Sequence, residues 1–413
     1  MKAGTLIIVS ILISLSPHPS MCAVCNGPYP ASSLLRRYNN VHTPVPLFAD
    51  LLLSEGRVYA VLNLKLVSSQ AWHTAQWTLE KNGSAAVECA TFGQDPHQHT
   101  LIFYADQTRV GVDGTTLEHI TIRGRVRGME HVIVDVPLCP HSVVLPDPVA
   151  PNPFLTACTS ILSDASILNR VPEWIAYNHV QGIQHSYIYI NDDFDASERA
   201  LRPFVTAGLA TLINWHPPDH QRSLFLYQQA QQNACLLRAR GRSHWVALHD
   251  VDEFLYASKP WSSVGQLMRN LTEGRGDAGV GAVEIKNWFY GLPAQPQPTA
   301  PPSRLVMARC TGRDSGPVVR GREKLIVRPQ NVLYVSVHMV TLGMPIHTLD
   351  AESEMRLVHY KDVEHRRYDV TDAVMEELVE PVQAVMDGVM MREKRQIRAL
   401  TQRARARGRS GQD

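Results

Sequence analysis

The sequence has almost no net charge. Its 413 residues contain 40 Lys plus Arg and 39 Asp plus Glu, which leaves a formal charge of +1 at pH 7. No global electrostatic field therefore draws nucleic acid or another anionic polymer towards the chain, and we predict no nucleic-acid partner. Any charged partner has to be recognised by a local cluster of side chains.

Long apolar runs are also missing. The run Leu6–Leu15 has 10 residues, whereas about 20 are needed to span a membrane. Lys2 precedes this run and Pro17 follows it, a pattern typical of a cleaved secretory signal over residues 1–25. The alternative is a short signal anchor of a Golgi-type enzyme, with membrane association through the N-terminus. Either interpretation predicts the secretory pathway, in the Golgi lumen or membrane or as a secreted protein.

Cysteines are too few for a disulfide-built scaffold. There are seven in the whole chain, a number that fits entry into an oxidising compartment. Cys89 and Cys139 both lie in a strand-rich region, so they are candidate partners. Asn82 and Asn270 begin glycosylation sequons, which predict a glycoprotein if the secretory signal is correctly assigned.

The N-terminal part reads as β-structure. Short runs of alternating polarity recur between Val58 and Val136, separated by turn signals such as Asn82-Gly83. This pattern predicts a small β-sandwich over residues 45–145, and it contains no catalytic constellation. The proline-rich segment Leu145–Pro153 then marks a domain boundary.

Beyond this boundary, strands alternate with helices. The order over residues 152–370 predicts an α/β domain with a mostly parallel sheet flanked by helices. In such sheets, ligands bind beyond the carboxyl ends of the strands. Residues 371–413 form a basic segment with a helical pattern, which we interpret as a solvated tail in preference to a membrane or nucleic-acid arm.

The stretch HWVALHDVDEFLY contains the main candidate site. It predicts a buried strand that runs into Asp250, Asp252 and Glu253. In an extended segment Asp250 and Asp252 point the same way, and two such carboxylates suit Mn²⁺ or Mg²⁺ bound to a nucleotide diphosphate. The alternative is that Asp252 or Glu253 caps a following helix. The position after a buried strand favours the metal site.

Later strands add candidate cations and ligands. His338 and His359 each lie in or after a predicted strand, so either is a candidate third metal ligand. Lys324 and Arg328 lie in the run REKLIVRP and could neutralise diphosphate oxygens, or could face solvent.

With these residues in place, the second half resembles glycosyltransferase family 92. The likeness is carried by PEWIAYNHVQGIQHSYIYIND, QQNACLLRARGRSHWVALHDVDEFLY, NWFYG, EKLIVRP, VHMV and HYKD, and it covers residues 154–363. The resemblance implies a GT-A-like fold and transfer of a hexose, typically galactose from UDP-galactose, onto a glycan acceptor with inversion. It also implies that Asp250 and Asp252 hold Mn²⁺ (or Mg²⁺) against UDP, with His338 as first choice for the later metal contact and His359 second.

A carboxylate base should deprotonate the acceptor hydroxyl. Asp314, Glu284 and Glu323 all lie in the right portion of the chain, and Asp314 is preferred because it lies in a polar, glycine-flanked loop. The proline-rich loop NWFYGLPAQPQPTAPPSRL departs from the family pattern and leaves the acceptor open.

Two other function classes remain as alternatives. One is a catalytically silent glycan-binding protein that keeps the transferase fold; loss of the metal ligands would favour it, and they are present. The other is a metal-dependent phosphohydrolase, but two-metal sites of that kind need more His and Asp ligands than this region supplies.

Overall fold

The computed structural model describes fourteen stretches of the chain. They are residues 29–30, 46–64, 76–81, 83–95, 100–126, 129–138, 153–161, 164–215, 224–275, 280–295, 304–317, 321–343, 345–361 and 366–409. The predicted signal, the proline-rich connector before residue 153 and Cys139 lie outside them. The chain divides into two compact units, Met1–Asp147 with Ile213–Gln221, and Pro148–Leu212 with Arg222–Asp413.

The first unit is made of strands with one short helix. The strands are β1 (Tyr29–Pro30), β2 (Pro46–Ser54), β3 (Arg57–Leu64), β4 (Gln76–Lys81), β5 (Val87–Glu88), β6 (Ala90–Asp95), β7 (Thr100–Asp106), β8 (Glu118–Val126) and β9 (Met129–Leu138), and the helix is α1 (Gln107–Val110). They form a nine-stranded sheet in the order β5-β4-β8-β9-β2-β3-β7-β6, with β1 beside β2.

This sheet folds over into two layers. Its two halves meet where β2 and β9 pair at Leu51 and Leu138. Trp77 on β4 stacks on Phe103 on β7 with ring centroids 4.9 Å apart, although these strands belong to opposite halves. Gly124 lies opposite Trp77 on β8, where a Cβ atom would come within 2.5 Å of the indole ring. The predicted β-rich, sandwich-like region is confirmed. Cys89 is a free cysteine.

The second unit contains a seven-stranded sheet in the order β12-β11-β10-β13-β18-β15-β21. Its strands are β10 (Leu155–Ile161), β11 (His185–Ile190), β12 (Ala210–Asn214), β13 (Trp245–Leu248), β15 (Ala282–Ile285), β18 (Lys324–Val327) and β21 (Ile346–Thr348). β10 pairs in parallel with β11 and β13, as expected. β18, however, runs antiparallel to both β13 and β15, so the sheet is mixed.

A second sheet and a hairpin complete the strands of this unit. The second sheet contains β14 (Glu253–Ala257), β16 (Asn287–Pro293), β17 (Gly312–Arg313), β22 (Met355–His359), β23 (Arg367–Tyr368) and β24 (Val370–Thr371), and the hairpin is β19 (Val332–Val335) with β20 (Val340–Gly343). The α/β class predicted from the sequence is therefore confirmed.

The helices of this unit follow the predicted alternation. They are α2 (Ala165–Leu168), α3 (Val171–Val180), α4 (Phe194–Thr206), α5 (Leu224–Ala239), α6 (Val264–Arg275), α7 (Val306–Arg309) and α8 (Val379–Arg409), with a 3₁₀ turn at Glu376–Leu378. In the described part of the chain, no helix is long and apolar enough to cross a membrane.

Local chemistry explains where two of these helices begin and end. Pro172 lies in the first turn of α3, where its missing N–H costs no hydrogen bond. Asp193 precedes α4, and its carboxylate accepts the Ala196 N–H at 2.9 Å. Beyond α4, Gly208 adopts φ +75°, a left-handed conformation that closes the helix. α3 connects β10 to the parallel strand β11, and α4 connects β11 to its neighbour β12.

The last helix is more than a solvated tail. Val382 and Val389, two turns apart on one face of α8, are buried in the same hydrophobic core as Trp174 of α3. From residue 390 onwards the side chains that the structure describes are mostly exposed, including Met390 and Met391. The first turns of α8 thus belong to the packed unit.

A disulfide joins Cys158 of β10 to Cys235 of α5, across 77 residues of sequence. Both cysteines are buried. The cross-link fixes α5 against the strand that lies beside β13, and so it supports the end of the sheet where the acidic residues lie. The sequence analysis did not identify this pair.

Candidate active site

The three carboxylates lie in a tight turn between two sheets. β13 ends at Leu248, and β14 begins at Glu253 in the other sheet. The Glu253 N–H donates to the Asp250 carbonyl at 3.1 Å, and the Asp250 N–H donates to the Glu253 carboxylate at 2.8 Å. The predicted continuous strand is therefore wrong at this point. Because the chain turns, Asp250 and Asp252 bind different partners instead of pointing the same way.

Asp250 is held by one charged and one neutral hydrogen-bond donor. Its carboxylate accepts a hydrogen bond from the Lys324 ammonium at 2.8 Å and another from the Gln228 amide of α5 at 2.7 Å. The antiparallel register, with Leu248 opposite Leu325, explains why Lys324 reaches the acidic turn. The Asp250 side chain stays 35% exposed, whereas Lys324 is 1% exposed.

Lys324 serves as a buried counter-ion. Its Nζ atom also lies 3.3 Å from the Glu253 carboxylate, which is 2% exposed. Burial alone would lower the pKa of Lys324, but the Asp250 and Glu253 carboxylates outweigh it and raise this pKa above its usual value. Burial also raises the pKa of Glu253 to about 7, although the Lys324 ammonium opposes the shift. The ammonium faces protein carboxylates, so the diphosphate role predicted for Lys324 requires an indirect effect through Asp250.

Asp252 pairs with His359. The Asp252 Oδ2 atom lies 3.3 Å from His359 Nε2, and the Asp252 side chain is 30% exposed. Burial raises the pKa of Asp252, but the hydrogen bond from His359, together with the charges of His359 and Lys324, outweighs it and lowers the pKa. Burial lowers the pKa of His359, and the contact with Asp252 and the charge of Glu253 reverse this to a raised value. Both shifts favour a charged pair.

The second ring nitrogen of His359, Nδ1, also has partners. Its Nδ1 atom lies 2.8 Å from the Asn287 amide nitrogen and 3.5 Å from the Glu253 carboxylate. The β14–β22 register, with Glu253 opposite His359, brings these groups together. A metal-ligating histidine typically has such a partner on its second nitrogen.

His338, the first choice for the metal contact, lies close enough to Lys324 and Asp250 to interact with their charges, but in the described structure it makes no recorded contact with Asp252. It is in the turn between β19 and β20, not in a strand as predicted, and it is half-buried. Its Nδ1 atom lies 2.9 Å from the Glu323 carbonyl. Burial and the nearby Lys324 charge lower the pKa of His338. The structure pairs Asp252 with His359, the second choice, and not with His338.

Arg328 is not brought to the acidic turn. It follows the far end of β18, and its guanidinium lies 4.6 Å from the centre of the Trp245 ring, at the start of β13. Because β18 runs antiparallel to β13, Lys324 and Arg328 lie at opposite ends of the same strand. The two cations therefore do not form the diphosphate-binding pair expected from the sequence.

The base candidates differ in their surroundings. The Asp314 N–H donates to the Phe289 carbonyl at 3.0 Å, and the Phe289 ring lies 5.1 Å from the His359 ring. The Asp314 backbone therefore lies beside Phe289, and the Asp314 carboxylate accepts the Ser315 N–H at 2.8 Å. The Glu323 carboxylate instead accepts the N–H groups of its own loop at residues 321 and 322. Glu284 accepts from the Thr348 hydroxyl at 2.9 Å.

A small polar cavity opens beside Asp250. It lies at the carboxyl ends of the parallel strands β10 and β11 and against one face of α5. Its lining residues are Cys158, Thr159, Ser160, Tyr189, Gln228, Gln231, Gln232 and Asp250. Among the described residues, the Thr159 hydroxyl and the carbonyl oxygens of Gln231 and Gln232 are buried there without a hydrogen-bond partner.

The side chains around the acidic turn supply only some of the ligands that a divalent metal ion needs. In the part of the chain that the structure describes, no three His, Cys, Asp or Glu side chains are arranged to hold a metal ion. Asp252 and His359 do present an oxygen and a nitrogen donor to the same point. Mg²⁺ and Mn²⁺ commonly bind through one or two protein ligands and complete their shells with substrate phosphates and water. The pair is therefore compatible with a metal that arrives together with a nucleotide.

Sequence reasoning missed Gln228 and Asn287. Gln228 belongs to the segment QQAQQNA of α5, where Gln228, Gln231 and Gln232 are all buried. The sequence feature that could have indicated Gln228 is the high number of amide side chains in this segment. On a helix that packs against a sheet, such amides are buried and need polar partners. Asn287 begins the NWFYG stretch and carried no separate signal.

The mixed sheet with flanking helices defines an α/β fold with polar groups at the carboxyl ends of its parallel strands, and comparison with known proteins identifies the family. The sequence profile of Glycosyltransferase family 92 matches residues 154–405. The chain belongs to this family. The match extends through most of α8, beyond the region in which the motifs were recognised.

Characterised and curated relatives are distant. A glycosyltransferase family 92 protein of Ricinus communis is 29% identical over 214 residues, covering 50% of this chain and 35% of the relative. Galactan beta-1,4-galactosyltransferase GALS2 of Arabidopsis thaliana is 27% identical, covering 49% and 39%. Beta-1,4-galactosyltransferase galt-1 of Caenorhabditis elegans is 22% identical, covering 60% and 58%. The chain thus spans about a third to three fifths of the length of these relatives.

Among solved structures, TarS residues 1–349 of S. aureus aligns with a TM-score of 0.31 and 8% identity, covering 50% of this chain and 60% of that one. An alignment of this kind gives no residue-level correspondence. The roles of individual side chains follow from the geometry of this chain alone.

Proposed function

We propose that this chain is a metal-dependent hexosyltransferase that moves galactose from UDP-galactose onto a glycan acceptor with inversion. The observation that carries the proposal is the Asp252–His359 pair beside the Lys324-bound Asp250, at the end of a buried strand. Two distant relatives bear the name of galactosyltransferases, which supports the choice of sugar. A catalytically silent glycan-binding protein is the alternative.

The cavity beside Asp250 has room for about one water-sized group, so it is suited to a single polar group of the donor and not to the whole nucleoside. Its unpartnered Thr159, Gln231 and Gln232 oxygens can accept hydrogen bonds from a bound ligand. The described lining contains no cation, so it favours a neutral polar group over the diphosphate. The diphosphate would then lie towards Asp252 and His359, as expected for a ligand at the carboxyl ends of the strands.

In this mechanism, Asp252 and His359 would hold Mn²⁺, and the cation would supply positive charge against the negative charge that develops on UDP as the sugar bond breaks. Lys324 and Gln228 hold Asp250 in a fixed orientation at the same edge. Asp314 removes the proton from the acceptor hydroxyl as it attacks the anomeric carbon. The backbone hydrogen bond from Asp314 to Phe289, whose ring contacts the His359 ring, supports this assignment, although the carboxylates of Asp314 and Glu323 both accept N–H groups of their own loops.

The secretory pathway remains our proposed location. A buried disulfide between Cys158 and Cys235 supports it, because structural disulfides persist mainly in oxidising compartments. Asn270, the described sequon residue, is exposed on α6, where a glycan could be attached. Membrane association through the N-terminus is part of the same proposal.

Nucleotide release tests the function directly. Purified full-length protein is incubated with Mn²⁺ and each of a panel of UDP- and GDP-sugars, with and without galactose-terminated oligosaccharides. We expect UDP to be released from UDP-galactose only when an acceptor is present. Release without acceptor would instead indicate a phosphohydrolase. No release with any pair, together with glycan binding, would indicate the silent glycan-binding protein.

Metal binding should depend on pH through His359. Asp252 stays ionised near neutral pH because its pKa is lowered, whereas His359 has a raised pKa and keeps its proton to higher pH than a free histidine. A metal ion must displace that proton. We therefore expect Mn²⁺ affinity to fall about tenfold per pH unit below the pKa of His359 and to level off above it. Calorimetry in two buffers of different ionisation enthalpy should show release of about one proton; binding without proton release would contradict the assignment.

A further inference from the structure

The exposed part of α8 is a strongly charged segment of an almost neutral chain. Residues 392–409 contain eight Lys or Arg and one Glu, whereas the whole chain has a net charge of +1. The segment therefore has a net charge of +7, and the rest of the chain has a net charge of −6. A charged partner that the protein as a whole does not attract can be recognised here by a local cluster of side chains.

The cations of this segment lie on one face of the helix. Lys394, Arg395 and Arg398 follow Met391 by three, four and seven residues, which is the spacing of side chains on one helical face. All four side chains are exposed, and Met391 is 52% exposed. Glu393 lies two residues after Met391, about 200° around the helix, and so points to the opposite side. We call the four residues around Met391 the basic face.

No acidic neighbour balances the charge of the basic face along the helix. None of the residues three or four positions away from Lys394, Arg395 or Arg398 is acidic. Lys394 and Arg395 instead lie four and three residues before Arg398, and like charges at this spacing destabilise a helix. A helical face that contacts only water commonly pairs opposite charges at this spacing, and the basic face does not.

Packing does not support this part of the helix either. Val389 is buried in the core, but among the side chains that the structure describes after it, none is buried. The helix continues to Arg409, so about 30 Å of it extends beyond the packed turns. An unpacked helix of this length is only marginally stable in water. An anionic partner along the basic face would remove the repulsion between its cations.

We propose that the basic face of α8 docks on a surface of anionic phospholipid, with its cations at the lipid phosphates and Met391 among the headgroups. Met391 favours lipid over a soluble polyanion, because an exposed apolar side chain between cations suits a partner with an apolar layer beneath its charges. Met390, which is 41% exposed, borders the face and adds to the apolar contact. A second copy of the chain fits poorly, because two basic faces repel each other.

This docking surface changes the interpretation of the C-terminal segment as a solvated tail. The sequence showed a basic segment with a helical pattern, and the structure adds that the exposed methionine lies between the cations of one face. The proposal does not depend on transferase activity, so either can fail while the other stands.

Sedimentation with lipid vesicles tests the proposal on the full-length protein. We expect tighter binding to vesicles of equal parts phosphatidylcholine and phosphatidylserine than to vesicles of phosphatidylcholine alone, and release from the former at high salt. Arg395→Gln with Arg398→Gln should weaken binding to the phosphatidylserine vesicles by about 25-fold, because each cation near such a surface contributes about fivefold. Equal binding of the unmodified protein to both kinds of vesicle would overturn the proposal.

Arg199→Gln with Arg202→Gln is the matched control. These two residues are also exposed and three positions apart, on α4, but Glu198 lies four residues before Arg202. Removing the same two charges there should leave vesicle binding unchanged. Equal losses in the two double variants would show that the net charge of the protein, and not the basic face, determines binding, and the proposal would fail.

Met391→Ser separates lipid from a soluble polyanion, for which heparin is the probe. We expect about fivefold weaker binding to the phosphatidylserine vesicles, because less apolar surface enters the headgroup layer, and unchanged binding to heparin. Met339→Ser, at a position that is 58% exposed, should change neither. Heparin binding without vesicle binding, or vesicle binding that Met391→Ser leaves unchanged, would assign the face to a soluble polyanion and overturn the lipid proposal. If a variant does not fold, the lipid and salt comparison on the unmodified protein decides alone.

Discussion

Replacing Cys158 and Cys235 together by alanine is expected to lower the free energy of unfolding by about 4.5 kcal/mol. The disulfide closes a loop of 77 residues, and restricting a loop of that length in the unfolded chain gives a stabilisation of this size. Both side chains are buried, so their shortening adds a smaller packing cost. Urea denaturation followed by tryptophan fluorescence measures the change.

Cys310→Ala is the matched control for this experiment. Cys310 is also buried but forms no disulfide, so its replacement shortens a buried cysteine without the loss of a cross-link. If the double variant and Cys310→Ala unfold at the same urea concentration, the disulfide contributes little and the loop argument is wrong. A much lower midpoint for the double variant confirms it.

Loss of the disulfide should also affect the candidate active site, because α5 contacts both. This helix contains both Cys235 and Gln228, whose amide holds Asp250 at 2.7 Å. Loss of the cross-link frees α5 from β10, so the carboxylate should lose part of its orientation. Transfer activity of the double variant is therefore expected to fall even at temperatures where the protein stays folded.

The helices and strands that a local sequence pattern determines could be predicted from the sequence. The helical spacing of Leu226, Ala230, Ala234 and Leu237 predicts a helix from about Ser223 to Arg240, which is α5, and Pro172 is typical of the first turn of a helix, which is α3. Apolar periodicity and terminal residues act over a few positions, so they can be read from one stretch of chain. The end of β13 could not be read in this way. The turn that follows β13 depends on contacts with Lys324 and His359. Both residues lie on strands more than 70 residues later in the sequence.

In the candidate site, too, the residues with a local sequence signal were predicted and those placed by strand pairing were not. Asp250 and Asp252 were found because they follow a buried strand, a local signal. The choice between His338 and His359 depended on which strand lies beside β14, and the register with β22 places His359 there. Arg328 was grouped with Lys324 because they are close in sequence, but residues four apart on an extended strand lie about 13 Å apart. Pairing across the sheet, which the sequence does not display, decides these cases.

Asp252→Asn is expected to reduce acceptor-dependent transfer by about 10²- to 10³-fold, as loss of a group that stabilises developing charge does. The change keeps the shape of the side chain and removes the charge that faces His359 at 3.3 Å. Its effect on folding should be about 1 kcal/mol or less, because the carboxylate is 30% exposed and partly screened by solvent. The pKa of His359 should fall, since Asp252 helps to raise it.

A control variant and a double variant test this prediction further. Asp195→Asn removes an exposed carboxylate from the first turn of α4 and should leave transfer unchanged. His359→Gln should weaken Mn²⁺ binding, and the double variant with Asp252→Asn should be little worse than either single variant, because a shared metal ion is lost once. Strictly additive losses of Mn²⁺ affinity would show that the two side chains act separately. Normal transfer by Asp252→Asn would show that the acidic turn does not hold the metal, and the proposed mechanism would fail with it.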